Sequence, residues 1–289
     1  MKSRSFAVLL SYASLALLAL GPADGRANAG AVGVQVFDLR TNWSDASNPN
    51  GTWAYLEGNN PLPFVASWQR LLGGWSAAQP GWARSEDANT RLPFWYRSNG
   101  TETFGPDIQV GDIVVHSTDG GNGVGSGLGR VRWTAPARGV VTITGSTWAA
   151  RDIGRSNTWR LLSGTTTLRT GVVSSGDPYS RANPFQLADG TGSAPLTNHT
   201  VGCAGTIAFE TERNTVAGDF VGVNLSIAFT PVPCTGDLNG DSTVDTADLT
   251  AFLGQFGQSG AGLCADLNND GVVNTADLVL FLGRFGTNC

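Results

Sequence analysis

Lysine is almost missing from this chain of 289 residues: its 18 basic side chains are Lys2 and 17 arginines. Methionine occurs once and histidine twice, and past residue 20 no apolar run approaches the roughly 18 residues that cross a bilayer. The formal net charge is -5. A chain so poor in lysine and acidic overall has no polybasic surface with which to hold a phosphate backbone, so nucleic acid is excluded as a partner. Helical periodicity longer than a turn or two is also missing between residues 30 and 230. What stands there instead is short alternating runs punctuated by Gly, Thr, Ser and Asn, the pattern of an all-β domain.

Residues 1–29 read as a targeting segment. Lys2 and Arg4 precede an apolar stretch from Phe6 to Leu20, and Ala27-Asn28-Ala29 is a small-x-small cleavage site. Export is expected, with a mature chain that starts near Gly30, is secreted or held at the cell surface, and has no transmembrane segment. That mature chain has 15 Arg against 22 Asp and Glu. The acid is concentrated: residues 234–289 hold seven Asp and one Arg, whereas residues 30–233 hold 15 acids and 14 Arg.

The cause of that concentration is a repeat. Asp237-Leu-Asn239-Gly-Asp241-Ser-Thr243-Val-Asp245-Thr-Ala-Asp248 runs into an apolar helical pattern, and 29 residues later Asp266-Leu-Asn268-Asn-Asp270-Gly-Val272-Val-Asn274-Thr-Ala-Asp277 does the same. In each, side-chain oxygens fall at loop positions 1, 3, 5, 9 and 12, and position 7 (Thr243, Val272) offers its carbonyl. Ca²⁺ takes about 6–8 oxygens at about 2.3–2.6 Å, and a tightly curled loop with this spacing supplies them from one segment. The metal ligands expected for two Ca²⁺ are therefore Asp237, Asn239, Asp241, Thr243, Asp245 and Asp248, and Asp266, Asn268, Asp270, Val272, Asn274 and Asp277. Position 6 is Gly271 in the second loop but Ser242 in the first, where a left-handed backbone costs roughly 1 kcal/mol without glycine. Loop one has four carboxylates and loop two has three, which leaves open which binds tighter.

Position 12 is Asp in both loops, and Pro231-Val-Pro-Cys-Thr-Gly236 cannot form a helix ahead of the first. A duplicated loop-then-helix of this kind resembles the type I dockerin, the calcium-dependent module that plugs secreted proteins into cohesin domains, over residues 234–289. The resemblance implies a small all-α module, a cohesin-like partner, and contact through positions 10 and 11: Thr246 and Ala247, Thr275 and Ala276. Their near-identity would permit two binding orientations related by a two-fold. The basic pair common further along the family's helix is replaced by Gly254-Gln255 and Gly283-Arg284. Of four cysteines, the closeness of dockerin termini implies a Cys234–Cys289 clasp, leaving Cys203 and Cys264 paired or free; Cys264–Cys289 is the rival.

The clearest strand signals are Ile113–His116, Gly129–Thr134, Val140–Trp148, Thr158–Leu162, Gly205–Thr211 and Phe220–Phe229. Strands of this length and spacing predict a jelly-roll-like β-sandwich over residues 30–229, joined to the tail by a Pro-rich linker at 230–233. From residue 110 to 230 the pattern is similar to jelly-roll carbohydrate-binding modules. Trp43, Trp53, Trp68, Trp75, Trp82 and Trp95 crowd the first part, on segments such as 48–55 and 92–96 that read as turn-rich loops. Such rings either form a platform that stacks on sugars or pack a core with few aliphatics. Glu86, Asp87, Glu102, Asp107, Asp119, Glu210 and Glu212 include possible glycosidase pairs, but chance alone supplies such pairs, and neither His116 nor His199 has a supporting Ser or Cys motif; no catalytic residue is assigned. The sequence thus predicts a calcium-binding docking module carrying a sandwich that binds polysaccharide. A small glycoside hydrolase or lyase, or a structural surface protein, are the alternatives.

Overall fold

The computed structural model describes residues 33–289 except 67–73, 87–89, 105–106, 120–127, 233, 261–262 and 269. The targeting segment and Trp68 lie outside the described residues. In chain order the strands are β1 (Gln35–Asp38), β2 (Trp53–Glu57), β3 (Asn60–Pro61), β4 (Phe64–Val65), β5 (Gly81–Ala83), β6 (Phe94–Arg97), β7 (Ile113–His116), β8 (Gly129–Thr134), β9 (Gly139–Ala149), β10 (Ser156–Ser163), β11 (Thr166–Ser174), β12 (Phe185–Gln186), β13 (His199–Val201), β14 (Thr206–Arg213) and β15 (Phe220–Pro231). Two helices follow, α1 (Thr246–Gln255) and α2 (Thr275–Leu282).

Among the described residues the strands form two antiparallel sheets, one ordered β12-β9-β15-β7-β6-β5-β4 with β1 on β15 and β13 on β9, the other β11-β10-β14-β8-β2-β3. Residues of both sheets share one core, so the sheets face each other. Alternation explains the facing: in β8, Val131 and Trp133 are buried while Arg130 and Arg132 are partly exposed. These pairings establish a mainly-β, two-sheet antiparallel sandwich, which is coarser than a jelly roll. β15 is the spine, pairing with β9 over eleven residues from Val221↔Ala149 to Pro231↔Gly139 and with β7 and β1 on its other edge. Gly222 is required on it, because a Cβ there would meet the Trp148 ring at 2.2 Å. Thr230 and Pro231, expected in a linker, are the last residues of this strand.

Four of the six tryptophans in the aromatic-rich first part are core, and Trp75 is partly buried. Trp53, Trp82 and Trp95 are 3% exposed or less, and Trp43 is 7% exposed. Trp43 packs on Tyr55 at 4.3 Å and Tyr55 stacks on Trp82 at 6.0 Å. The segments read as turn-rich loops end in β2 and β6, because aromatic residues fit a pleated, buried surface once the turn is complete. Trp53→Ala and Trp95→Ala should therefore each cost roughly 3–5 kcal/mol of stability. Melting curves check this, and an unchanged melting temperature in both would contradict the core assignment.

The tail builds a separate small core from Leu238, Val244, Phe252, Ala265, Val273 and Phe281. Its halves interlock. Thr243 bridges to Asn288 beyond α2, and Val272 bridges to Ser259 beyond α1. Disulfides join Cys234 to Cys289 and Cys203 to Cys264. The first is the clasp the sequence favoured, and the second ties the tail to the sandwich.

Candidate metal centre

Each repeat starts its helix with the residues that occupy loop positions 9 and 12. Asp245 caps α1, its Oδ1 accepting from Ala247 N at 2.7 Å, and Asp248 Oδ2 accepts from Asp245 N at 2.9 Å. Asn274 and Asp277 repeat this on α2 at 2.7 and 2.9 Å. Such a capping box satisfies amides that no helical carbonyl reaches. It also fixes two side-chain oxygen donors at the mouth of the loop, a pair of carboxylates in the first repeat and a carboxamide with a carboxylate in the second.

The other oxygens converge on the same point. Asp237, Asp241 and Asp248 offer oxygens within 4.8 Å of one another, and so do Asp266, Asp270 and Asp277. Position 1 is oriented alike in both loops: Asp237 Oδ2 accepts from Ser242 N at 2.9 Å and Asp266 Oδ2 from Gly271 N at 2.8 Å. Asp248 Oδ1 accepts from Leu238 N and Asn239 N, and Asp277 Oδ1 from Leu267 N and Asn268 N. Burial pushes the Asp277 carboxyl up, but the amides of Asn274, Asn268 and Leu267 outweigh it and hold the pKa below the usual value. Asn239 and Asn268 bridge to Asp241 and Asp270 at 2.9 and 2.8 Å. Thr243 and Val272 stand at the two isolated bridges. The residue at position 6 is left-handed in both loops, φ 75° at Ser242 and 86° at Gly271, so the first loop does bear the strain of lacking glycine. Hard oxygen donors alone, clustered around each point, are a donor set that suits Ca²⁺ and not a soft metal.

Thr246, Ala247, Thr275 and Ala276 are all exposed, in the first turns of α1 and α2. The apolar side chains beside them are unequal: Val279, Leu280, Leu282 and Phe285 are exposed around α2, but only Leu253 and Phe256 around α1.

Of the candidate carboxylates, Asp87 lies outside the described residues, and Glu210 and Glu212 are held by arginines. Glu210 lies across from Arg130 and Arg160 on neighbouring strands and is bonded to both, the Arg130 contact at 2.6 Å, while Glu212 takes Arg160 at 3.1 Å. They are a cross-strand charge ladder. His199 Nε2 lies 2.9 Å from Ser163 Oγ, a contact across 36 residues that no motif announces.

A buried polar knot at the other end of β7 also escaped sequence reasoning, since its members come from distant turns. His116 Nδ1 is 2.5 Å from Ser117 O, Ser117 Oγ donates to Asn157 Oδ1 at 2.6 Å, and Phe220 N donates to Asp219 Oδ1 at 2.8 Å. Among the described residues, Asp219 Oδ2 and Asn157 Nδ2 are buried with no hydrogen-bond partner. Burial raises the Asp219 carboxyl to about 6 against the pull of Phe220 N, Arg155 and Arg151. Burial lowers His116 to about 4 despite Asp119 and Ser117 O. The folded state holds the Asp219 proton more firmly than the unfolded chain, so acidification through pH 6 to 4 stabilises. It holds the His116 proton less firmly, so acidification from 6.5 to 4 destabilises. The two oppose in one window. Asp219→Asn removes the compensating half, and its melting temperature should fall relative to the parent by several degrees more at pH 4 than at pH 7. A difference independent of pH would refute this.

No protein-family model matches the chain, and no curated protein does. Among solved structures, a type II cohesin-dockerin domain from Bacteroides cellolosolvens is 40% identical over a match covering 20% of this chain and 92% of that one, with a TM-score of 0.18.

Proposed function

We propose that residues 234–289 are a dockerin-type module that binds two Ca²⁺ and docks a cohesin-like domain, attaching an exported β-sandwich of residues 30–229 to a partner. The observation that carries this is the repeat itself: side-chain oxygens at the same loop positions, twice, with the position 1, 5 and 12 carboxylates of each set closing on one point at the start of a helix. The ion would be held by Asp237, Asn239, Asp241, Asp245, Asp248 and the Thr243 carbonyl, and by their counterparts Asp266, Asn268, Asp270, Asn274, Asp277 and the Val272 carbonyl. It supplies charge that lets the carboxylates of each loop converge. The exposed Thr246-Ala247 and Thr275-Ala276 pairs then present two similar faces. Capture of cohesin domains by the full chain, with Ca²⁺ and with chelator, tests the reading. Charged bulky replacements at both pairs should abolish capture. At one pair alone they should leave it mostly intact; loss from a single pair would end the two-orientation idea, and no capture with Ca²⁺ would end the docking one.

For the sandwich, one observation favours glycan binding over a purely structural role. A groove of about 500 Å³ sets Arg40, Thr41, Asp45, Arg97, Ser98 and Asn99, side chains suited to sugar hydroxyls, around an apolar floor that includes Pro80 and Val110. Arg97→Ala should weaken retention on the bound polysaccharide about ten-fold, an ordinary loss for one charged hydrogen-bonding side chain. Release of oligosaccharides by the parent would instead favour a hydrolase or lyase.

A further inference from the structure

The turn between β8 and β9 sends one side chain into the first loop. Arg138 is 9% exposed, and its Nε lies 2.8 Å from Oδ2 of the buried Asp237, as an ion pair. Its Nη2 donates to Ser242 Oγ at 3.0 Å. One guanidinium therefore touches loop positions 1 and 6. The surroundings hold it there: Arg138 O accepts from Val232 N at 3.1 Å, a Cβ on Gly202 would meet Asn239 O at 2.5 Å, and Cys203–Cys264 ties the two parts covalently. Among the described residues, Asp266 in the second loop has no such cation, and the tail's single arginine is Arg284.

We infer that Arg138 is a resident counter-charge that sets the calcium affinity of loop one. The inference rests on the calcium reading above. Affinity in such loops follows the number of ligand charges. Loop one has four carboxylates and loop two three, so one buried cation brings loop one from -4 to -3 and matches the pair. Oδ2 is the oxygen that faces the position-6 amide in both loops, so the guanidinium draws charge from the ligand through Oδ2 and leaves Oδ1, which accepts from Gly240 N at 2.7 Å, outside its contact. A buried cation beside a buried carboxylate is little screened by salt. Arg138 also makes the sandwich part of the first site.

The test is a chelator-competition titration of the full chain with Ca²⁺, followed at the Gly240 and Gly271 amide resonances so that each loop reports separately. The parent should show two similar affinities. Arg138→Gln should tighten loop one about ten-fold, as one unit of ligand charge suggests, and leave loop two unchanged; Arg138→Lys should stay near the parent. Asp245→Asn copies the Asn274 of loop two; alone it should weaken loop one, and added to Arg138→Gln it should restore the parent value. An Arg138→Gln loop one that is unchanged or weaker overturns the inference, as does an Asp245→Asn loop one that keeps its affinity. A parent that binds no Ca²⁺ at either loop overturns the calcium reading instead.

Discussion

Asp277→Ala should abolish Ca²⁺ binding at the second loop and unwind α2. The carboxylate is fully buried and accepts three backbone amides: Leu267 and Asn268 on one oxygen, Asn274 on the other. Each buried donor left without a partner costs about 1–3 kcal/mol, so the truncation removes several kcal/mol before the lost ligand is counted. A module of this size has little more than that to lose. The change also ends the capping box, since Asp277 is its returning member. Amide exchange over residues 275–282 with a calcium titration reads both effects. Protection and affinity equal to the parent would show that the carboxylate neither organises nor ligates. Asp248→Ala should do the same to the first loop and α1.

Removing calcium from the intact chain should strip amide protection from both helices while leaving the sandwich strands as they were. The tail's core is six fully or almost fully buried side chains. Three carboxylates of each loop converge beside it, and without a cation their repulsion opposes the closing of each loop. The sandwich has its own large core and no such cluster among its described residues. Protection in α1 and α2 should fall at least a hundred-fold in chelator and return with Ca²⁺. Helices equally protected in both conditions would show that disulfides and the interlocked bridges suffice. Mg²⁺ should restore less, because it demands tighter octahedral geometry and keeps its waters.

The parts legible in the sequence were those whose signal is local. Loop positions 1 to 12 and the helix after them are set by spacing alone, and Ile113–His116 and Gly129–Thr134 are strands at the residues expected. β11 has the same alternation only in weaker form, Thr-Thr-Leu-Arg-Thr. β2 and β6 are hidden behind the turn residues that introduce them, and their rings look equally like an exposed platform: Trp53, Tyr55 and Trp95 are buried in the core the two sheets share, and Phe94 and Tyr96 in a second cluster against Trp75, Phe104 and Ile108. Nothing local could have announced Arg138, whose contact with Ser242 spans 104 residues. The Asp219 knot is the same case: its chemistry arises from turns that only the closed sandwich brings together.

The Cys203–Cys264 bond has a mechanical consequence. Its ends are 61 residues apart in sequence, and the chain between them includes β14, β15, the first calcium loop and α1. When the second half of the tail is held by a partner and the sandwich is pulled, tension passes directly from sulfur to sulfur. The intervening segment, about 200 Å if fully drawn out, is shielded from load. Under reducing conditions the same pull would run through β15 and the first calcium loop in series, and the tether would gain that hidden length. Single-molecule stretching with and without reductant would register the difference as one added extension step.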